Sequence, residues 1–122
     1  MIFSNLLVGL VAFLETYFLV VEMFLWTTPR VLRMFGMTPE FAAQSAALAK
    51  NQGLYNGFLA AGLVWGMLSQ DAMLGFEVKV FFLACVLIAG IYGSLTANRR
   101  ILFVQALPAL IALIALMFAR GF

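Results

Sequence analysis

Histidine is absent from these 122 residues, cysteine occurs once, and charged side chains make up only 10% of the chain. Each scarcity closes off some chemistry. Without histidine there is no usual axial ligand for a b-type haem and no Glu-x-x-His pair of the kind that builds di-iron bundles. The lone Cys85 sits in the apolar run FFLACVLIAG. It allows no internal disulfide and no thiol-cluster metal site. A self-contained metalloenzyme is therefore not expected, and no cofactor is implied. The seven basic and five acidic residues leave a net charge of +2. The basic ones gather in two connections instead of forming a patch, which reads as membrane topology and not as nucleic-acid binding.

What the chain has in abundance is apolar surface. Sixty-six per cent of its residues are hydrophobic and its mean hydropathy is +1.10, where soluble domains are roughly half apolar and a quarter charged. Four apolar runs, at about residues 5–26, 52–68, 78–97 and 101–119, each approach the ~20 residues that a membrane-crossing helix needs. The expectation is all-α: one integral membrane four-helix bundle over residues 1–122, with a short amphipathic segment between the first two spans. The first run lacks a basic leader and a small-residue cleavage site, so it reads as a retained helix and not as a signal peptide.

Local signals mark the ends. Thr28 followed by Pro29 is an N-cap with proline in the first turn, and Gly36 is placed to stop that short helix. Arg30 and Arg33 share one of its faces and are expected to snorkel to the membrane surface. Thr38-Pro39-Glu40 opens another helix with an acid at its positive end. Residues 41–52 hold no proline or glycine, so this helix can run on into the second span. Pro108 should kink or loosen the fourth span, because its missing N–H frees a carbonyl. The connections with Arg30, Arg33 and Lys50, and with Asn98-Arg99-Arg100, each carry net positive charge, whereas Asp71, Glu77 and Lys79 leave the remaining one negative. The positive-inside rule then places the basic connections in the cytoplasm and both termini on the other side, with Arg120 dissenting.

Small residues recur at helical spacing. Gly53-x-x-x-Gly57 and Gly62-x-x-x-Gly66 allow close helix approach in lipid, as do Gly90 and Gly93 on the third span. Packing within one bundle accounts for these motifs; a homodimer face is the other reading. Trp26, Trp65, Tyr17, Tyr55 and Tyr92 are too scattered to form a ligand cage.

The polar residues inside the apolar runs carry the functional signal. Glu15 lies mid-span, where a charge costs roughly 2.5–3.5 kcal/mol on insertion scales. Glu22 follows nearly two turns later on almost the same face, about 10 Å away along the axis. Asn51, Gln52, Asn56, Tyr92 and Gln105 fall by register into the layer of Glu22, so the bundle is expected to narrow from polar walls to one acid. The structural alternative pairs Glu22 with Lys50 or Arg99 and has Glu15 hydrogen-bonded to Thr16, a tyrosine or an asparagine.

The run Glu22-Met-Phe-Leu-Trp-Thr-Thr-Pro-Arg30, then Met37-Thr38-Pro39-Glu40 in place of Leu-Thr-Pro-Glu, resembles the family known as domain of unknown function 1304. The blocks Asn51-Gln-Gly-Leu-Tyr-Asn-Gly-Phe-Leu-Ala-Ala-Gly62, Ala89-Gly-Ile-Tyr-Gly93 and Phe103-Val-Gln-Ala-Leu-Pro108 extend the resemblance along the chain. It implies a small, mostly bacterial inner-membrane protein and brings no activity with it. Members often carry histidine after the first-span glutamate, where this chain has Thr16, so a mechanism needing a Glu–His pair is not available here.

Two functional classes compete. In one, Glu15 exchanges a proton for a small cationic or amphipathic molecule, making the protein a transporter or binder; four-span length and a first-span glutamate resemble the small multidrug resistance proteins in architecture alone. In the other, the chain is a structural or accessory subunit for a membrane protein partner, a lipid or a quinone. A stand-alone enzyme would have only Glu15 or Glu22 as acid or base, a nonspecific set.

Overall fold

The computed structural model describes residues 2–96 and 102–120. Among these residues the chain is all-helical, without a strand. Helix α1 is Ile2–Phe24, α2 Pro29–Phe35, α3 Pro39–Leu68 and α4 Ala72–Thr96; a π-helical turn, Leu102–Ala106, leads directly into α5, Leu107–Arg120. Three stretches are long and apolar enough to cross a membrane: α1, α4 and Phe103–Arg120. The expected second span, residues 52–68, is the latter half of α3. It keeps Gln52, Asn56 and four glycines, and α3 does not reach the same apolar standard. The connection Asn98-Arg99-Arg100 and the span limits at 97 and 101 lie outside the described residues.

The helix ends follow local chemistry, with one exception. Thr38 Oγ1 accepts the Phe41 N–H at 3.1 Å and Pro39 takes the first turn of α3, which satisfies one of the donors a helix start leaves open. Gly36 ends α2 with φ of 63°, a conformation glycine adopts without a Cβ clash. It lets the Met37 N–H close on the Leu32 carbonyl at 2.9 Å. Thr28 stands at the N-cap position of α2 but its side chain caps nothing. Its hydroxyl instead donates to the Leu25 carbonyl at 2.7 Å, folding the corner back onto the end of α1. Asp71 does for α4 what Thr28 does not do for α2: its Oδ1 accepts the N–H groups of Met73 and Leu74 at 3.0 and 3.3 Å.

α1 lies against α3 and α5, and α4 lies against the same two, with α1–α3 the most extensive contact. The shared core is formed by Val8, Val11, Leu63, Leu83, Val86 and Leu116, with small residues such as Ala109 and Ala112 between them. Both Gly-x-x-x-Gly motifs face neighbours inside the same chain. Gly53 and Gly57 receive the Leu19–Met23 stretch of α1, Gly62 receives the Phe82 ring, and Gly66 receives the Lys79 stem. Gly93 is half-buried. The closest backbone approach is at Gly90, where an added Cβ would stand 2.7 Å from the Ala106 nitrogen and 2.9 Å from its Cα. Only a residue without a side chain permits α4 to touch the π-helical turn there.

Candidate functional site

Helix register decides which polar groups meet. α1 and α3 run antiparallel, and the absence of side chains at Gly53 and Gly57 draws α3 against the turn of α1 that carries Glu22. Asn56 then points across the contact. Its Nδ2 donates to Glu22 Oε1 at 2.6 Å, and Asn56 is itself only 4% exposed. Two turns deeper, Glu15 is 1% exposed and its Oε1 accepts from Gln105 Nε2 at 2.8 Å.

Gln105 reaches Glu15 because it sits in the π-helical turn just before Pro108. Pro108 has no N–H to offer the preceding turn, so the regular α ladder is interrupted where Gln105 lies. Such wide turns inside helices recur at functional sites. The Gly90–Ala106 contact holds the turn against α4, leaving Gln105 aimed at α1.

The pairing at Glu15 is incomplete. Its Oε2 is buried and has no hydrogen-bond partner among the described residues. If ionised, that oxygen lacks a donor; if protonated, its O–H lacks an acceptor. A buried polar atom left in this state costs about 1–3 kcal/mol. One lipid-phase interhelical hydrogen bond, which averages about 0.6 kcal/mol, does not offset the insertion cost of a charge.

Of the residues singled out from sequence, the structure brings Glu15, Glu22, Asn56 and Gln105 together as two acid–carboxamide pairs. Asn51, Gln52 and Tyr92 are exposed, Tyr92 at 69%, and point away from this layer. Glu22 bonds to Asn56 and not to Lys50, and among the described residues no ion pair forms. Thr16 does not reach Glu15, because its hydroxyl donates to the Ala12 carbonyl of its own helix at 2.9 Å. Among the described residues no three potential metal ligands cluster.

A third charge was missed from sequence. Lys79, counted there with the connection after α3, lies inside α4, is 4% exposed, and its Nζ donates to Asn5 Oδ1 at 2.9 Å. Its position was signalled by spacing: Gly75, Lys79, Leu83 and Val86 fall at helical intervals on one buried face of α4. Also unforeseen is the bond from Trp26 Nε1 to Ser45 Oγ at 3.0 Å, beside the Phe35 ring, which ties the α1–α2 corner to α3.

Two open grooves mark the outer surface. One, of about 620 Å³, runs between the start of α1 and the end of α5 past Phe3, Ile111 and Phe118. The other, of about 200 Å³, lies beside the π-helical turn and is lined by Leu87, Ile91, Phe103 and Leu110. Neither is lined by an acid.

Residues 9–117 match the family described as "Protein of unknown function (DUF1304)". The chain is also 34% identical over 119 residues to "Uncharacterized protein YpaA" of Lactococcus lactis subsp. lactis (strain IL1403), an alignment that covers 96% of each chain. No solved structure matches. With the acid of α1, the Asn56 block, Gly90 and the Gln105–Pro108 turn all inside the matched segment, the chain belongs to the DUF1304 family.

Proposed function

We propose that the protein is a multi-pass membrane protein of the bacterial inner membrane, a four-helix bundle of α1, α3, α4 and α5 with both termini on the non-cytoplasmic side. In this reading it binds a small cationic or amphipathic molecule at Glu15 in exchange for a proton. The observation that carries the reading is the buried Glu15 Oε2 with no partner. In hydrocarbon the neutral, proton-bearing carboxyl is the tolerated form when the site is empty, since an uncompensated charge there is expensive. A cation of the ligand supplies the missing contact to the carboxylate, and the proton leaves. Gln105 holds the other oxygen, so the carboxyl group presents Oε2 alone. Glu22 and Asn56, nearer the arginine-bearing corner, form the polar approach.

The test uses the detergent-solubilised full chain and tetraphenylphosphonium as a lipophilic cation. Binding is expected to release one proton per cation into weakly buffered medium, to weaken as pH falls, and to be lost in Glu15→Gln while Glu22→Gln retains it in part. Binding that persists unchanged in Glu15→Gln, or that releases no proton, would defeat the proposal.

The apolar groove at Phe3, Ile111 and Phe118 favours a second reading, an accessory subunit that seats a lipid chain or a partner's helix there. That reading predicts loss of function on filling the groove with Ala115→Phe and none on Glu15→Gln.

A further inference from the structure

Among the described residues three acidic or basic side chains are buried or half-buried, and each is held by a carboxamide instead of an opposite charge: Glu22 by Asn56, Glu15 by Gln105, and Lys79 by Asn5. Their α1 partners or positions, residues 5, 15 and 22, form a line. At 1.5 Å per residue the Lys79–Asn5 pair stands about 15 Å from the level of Glu15, and Glu22 about 10 Å beyond it on the other side. α4 gives the same interval independently, since Gly90, which seats the turn carrying Gln105, lies eleven residues past Lys79.

Between Lys79 and Glu15 the interior is apolar. Val8 and Val11 of α1, Leu63 of α3, Leu83 and Val86 of α4, and Ala109 and Ala112 of α5 fill it, all 2% exposed or less. No polar side chain crosses this layer among the described residues. Glu15 therefore lies on the Glu22 side of this layer, and the far side has its own ionisable group.

Lys79 is drawn into the interior by the packing around it. Gly66 and Gly75 bring α3 and α4 so close that a Cβ on Gly75 would stand 2.8 Å from the Gly66 carbonyl, and one on Gly66 would stand 2.6 Å from Lys79 Cγ. The stem lies along that contact with the amine turned toward α1. The other charged groups at this end are engaged or turned outward. Asp71 caps α4, Glu77 is exposed, and the Arg120 guanidinium lies 4.7 Å over the Phe76 ring and donates to Met73 Sδ. α3 places no acid or base here. Among the described residues the amine has one acceptor, Asn5, and no carboxylate within ion-pair distance.

We propose that Lys79 is the proton-exchange group of the face opposite the acids, and that the Val11–Leu63–Leu83–Val86 layer is the barrier protons cross to pass between it and Glu15. This rests on the reading that Glu15 exchanges a proton. The amine takes a proton from water at its own face to become ammonium. When a chain of waters fills the layer and the Glu15 carboxyl has released its own proton toward Glu22, an N–H bond of Lys79 breaks, each water passes a proton on, an O–H bond forms on the Glu15 carboxylate, and the neutral amine is restored. Asn5 keeps the nitrogen in line by accepting one of its hydrogens.

The experiment reconstitutes the full chain in phosphatidylcholine vesicles with a trapped pH-sensitive dye and valinomycin, and measures passive proton flux. Leu83→Asn, which wets the barrier, is expected to raise the flux at least about tenfold over the unmodified protein, the equivalent of roughly 1.4 kcal/mol off the barrier. Adding Lys79→Met is expected to remove that increase. Val86→Asn serves as the second barrier variant should Leu83→Asn not fold, as judged by circular dichroism and gel filtration. Flux that rises in the barrier variants and stays high with Lys79→Met overturns the proposal, as does the absence of any rise in folded Leu83→Asn and Val86→Asn. A Lys79-dependent flux that survives Glu15→Gln supports the role of Lys79 while overturning proton exchange at Glu15.

Discussion

The two ends of the molecule solve the same problem, a charge inside an apolar helix packing, with different parts. At the end beside Arg30 and Arg33 the acids belong to α1, the carboxamides come from α3 and from the π-helical turn, and the backbones meet at Gly90 and Ala106. At the other end the charge is a lysine of α4, its carboxamide comes from α1, and the backbones meet at Gly66 and Gly75. The acid end is held by an irregular helix and a polar pair two turns away; the lysine end is held by regular helices and bordered by an apolar core. Irregular backbone lies where a side chain is aimed across the packing, and regular backbone where apolar side chains fill it.

The sharpest way to separate the ends is access. In a Cys85→Ser background, Glu15→Cys is expected to react with a membrane-impermeant thiol reagent from the side of oriented vesicles that carries Arg30 and Arg33 alone. Reaction from both sides would mean that the layer between the ends is not dry.

Next comes backbone spacing. Gly90→Ala sets a methyl against the backbone of Ala106, which cannot swing aside, and should cost about 1–3 kcal/mol as overpacking, read as a lower unfolding midpoint in detergent. Gly66→Ala meets the Lys79 Cγ at 2.6 Å, with the backbone of Lys79 and Gly75 no nearer than 3.1 Å, and should cost less. Equal losses would show the two contacts to be equivalent.

Smaller effects follow from the carboxamides. Asn56→Leu and Asn5→Leu each remove one interhelical hydrogen bond, about 0.6 kcal/mol on average and up to about 1.7. Asn56→Leu should lie at the higher end of that range, because Asn56 is buried against Glu22 at 2.6 Å. Gly57→Ala is expected to be the mildest. The added methyl displaces only the tip of Leu19, and alanine recovers up to about 1 kcal/mol of helix propensity, so the midpoint should scarcely move.

Much of the fold was legible because it is local. Thr38-Pro39 and Gly36 announce helix ends through their own backbones, and the unbroken stretch 41–52 runs on into residues 53–68 within α3 as its composition implies. Glu15 was legible as the deep acid for the same reason, since a carboxyl group in the middle of an apolar run needs no partner to be noticed. Its partner was not legible. That Gln105 meets Glu15 depends on the one-residue offset of the π-helical turn, for which Pro108 is a cue without a direction. Asn51 and Gln52 share a sequence block with Asn56, yet Asn56 alone falls on the face that Gly53 presses against α1. Lys79 was concealed by its neighbours: beside Asp71 and Glu77 it reads as part of a charged connection, until the helix is seen to start at Ala72. The Thr28 hydroxyl turned back to Leu25 because a helix of seven residues beside a tight corner offers it a nearer acceptor.

The chain has two tryptophans, and the fold assigns one to each end. Trp26 sits half-buried at the α1–α2 corner with its indole N–H on Ser45, while Trp65 projects outward from α3, 53% exposed, one residue from the Gly66–Lys79 contact. The protein thus carries its own pair of optical reporters. With Trp26→Phe, emission reports the surroundings of the lysine end; with Trp65→Phe, it reports whether the corner above the acids opens, without any attached label.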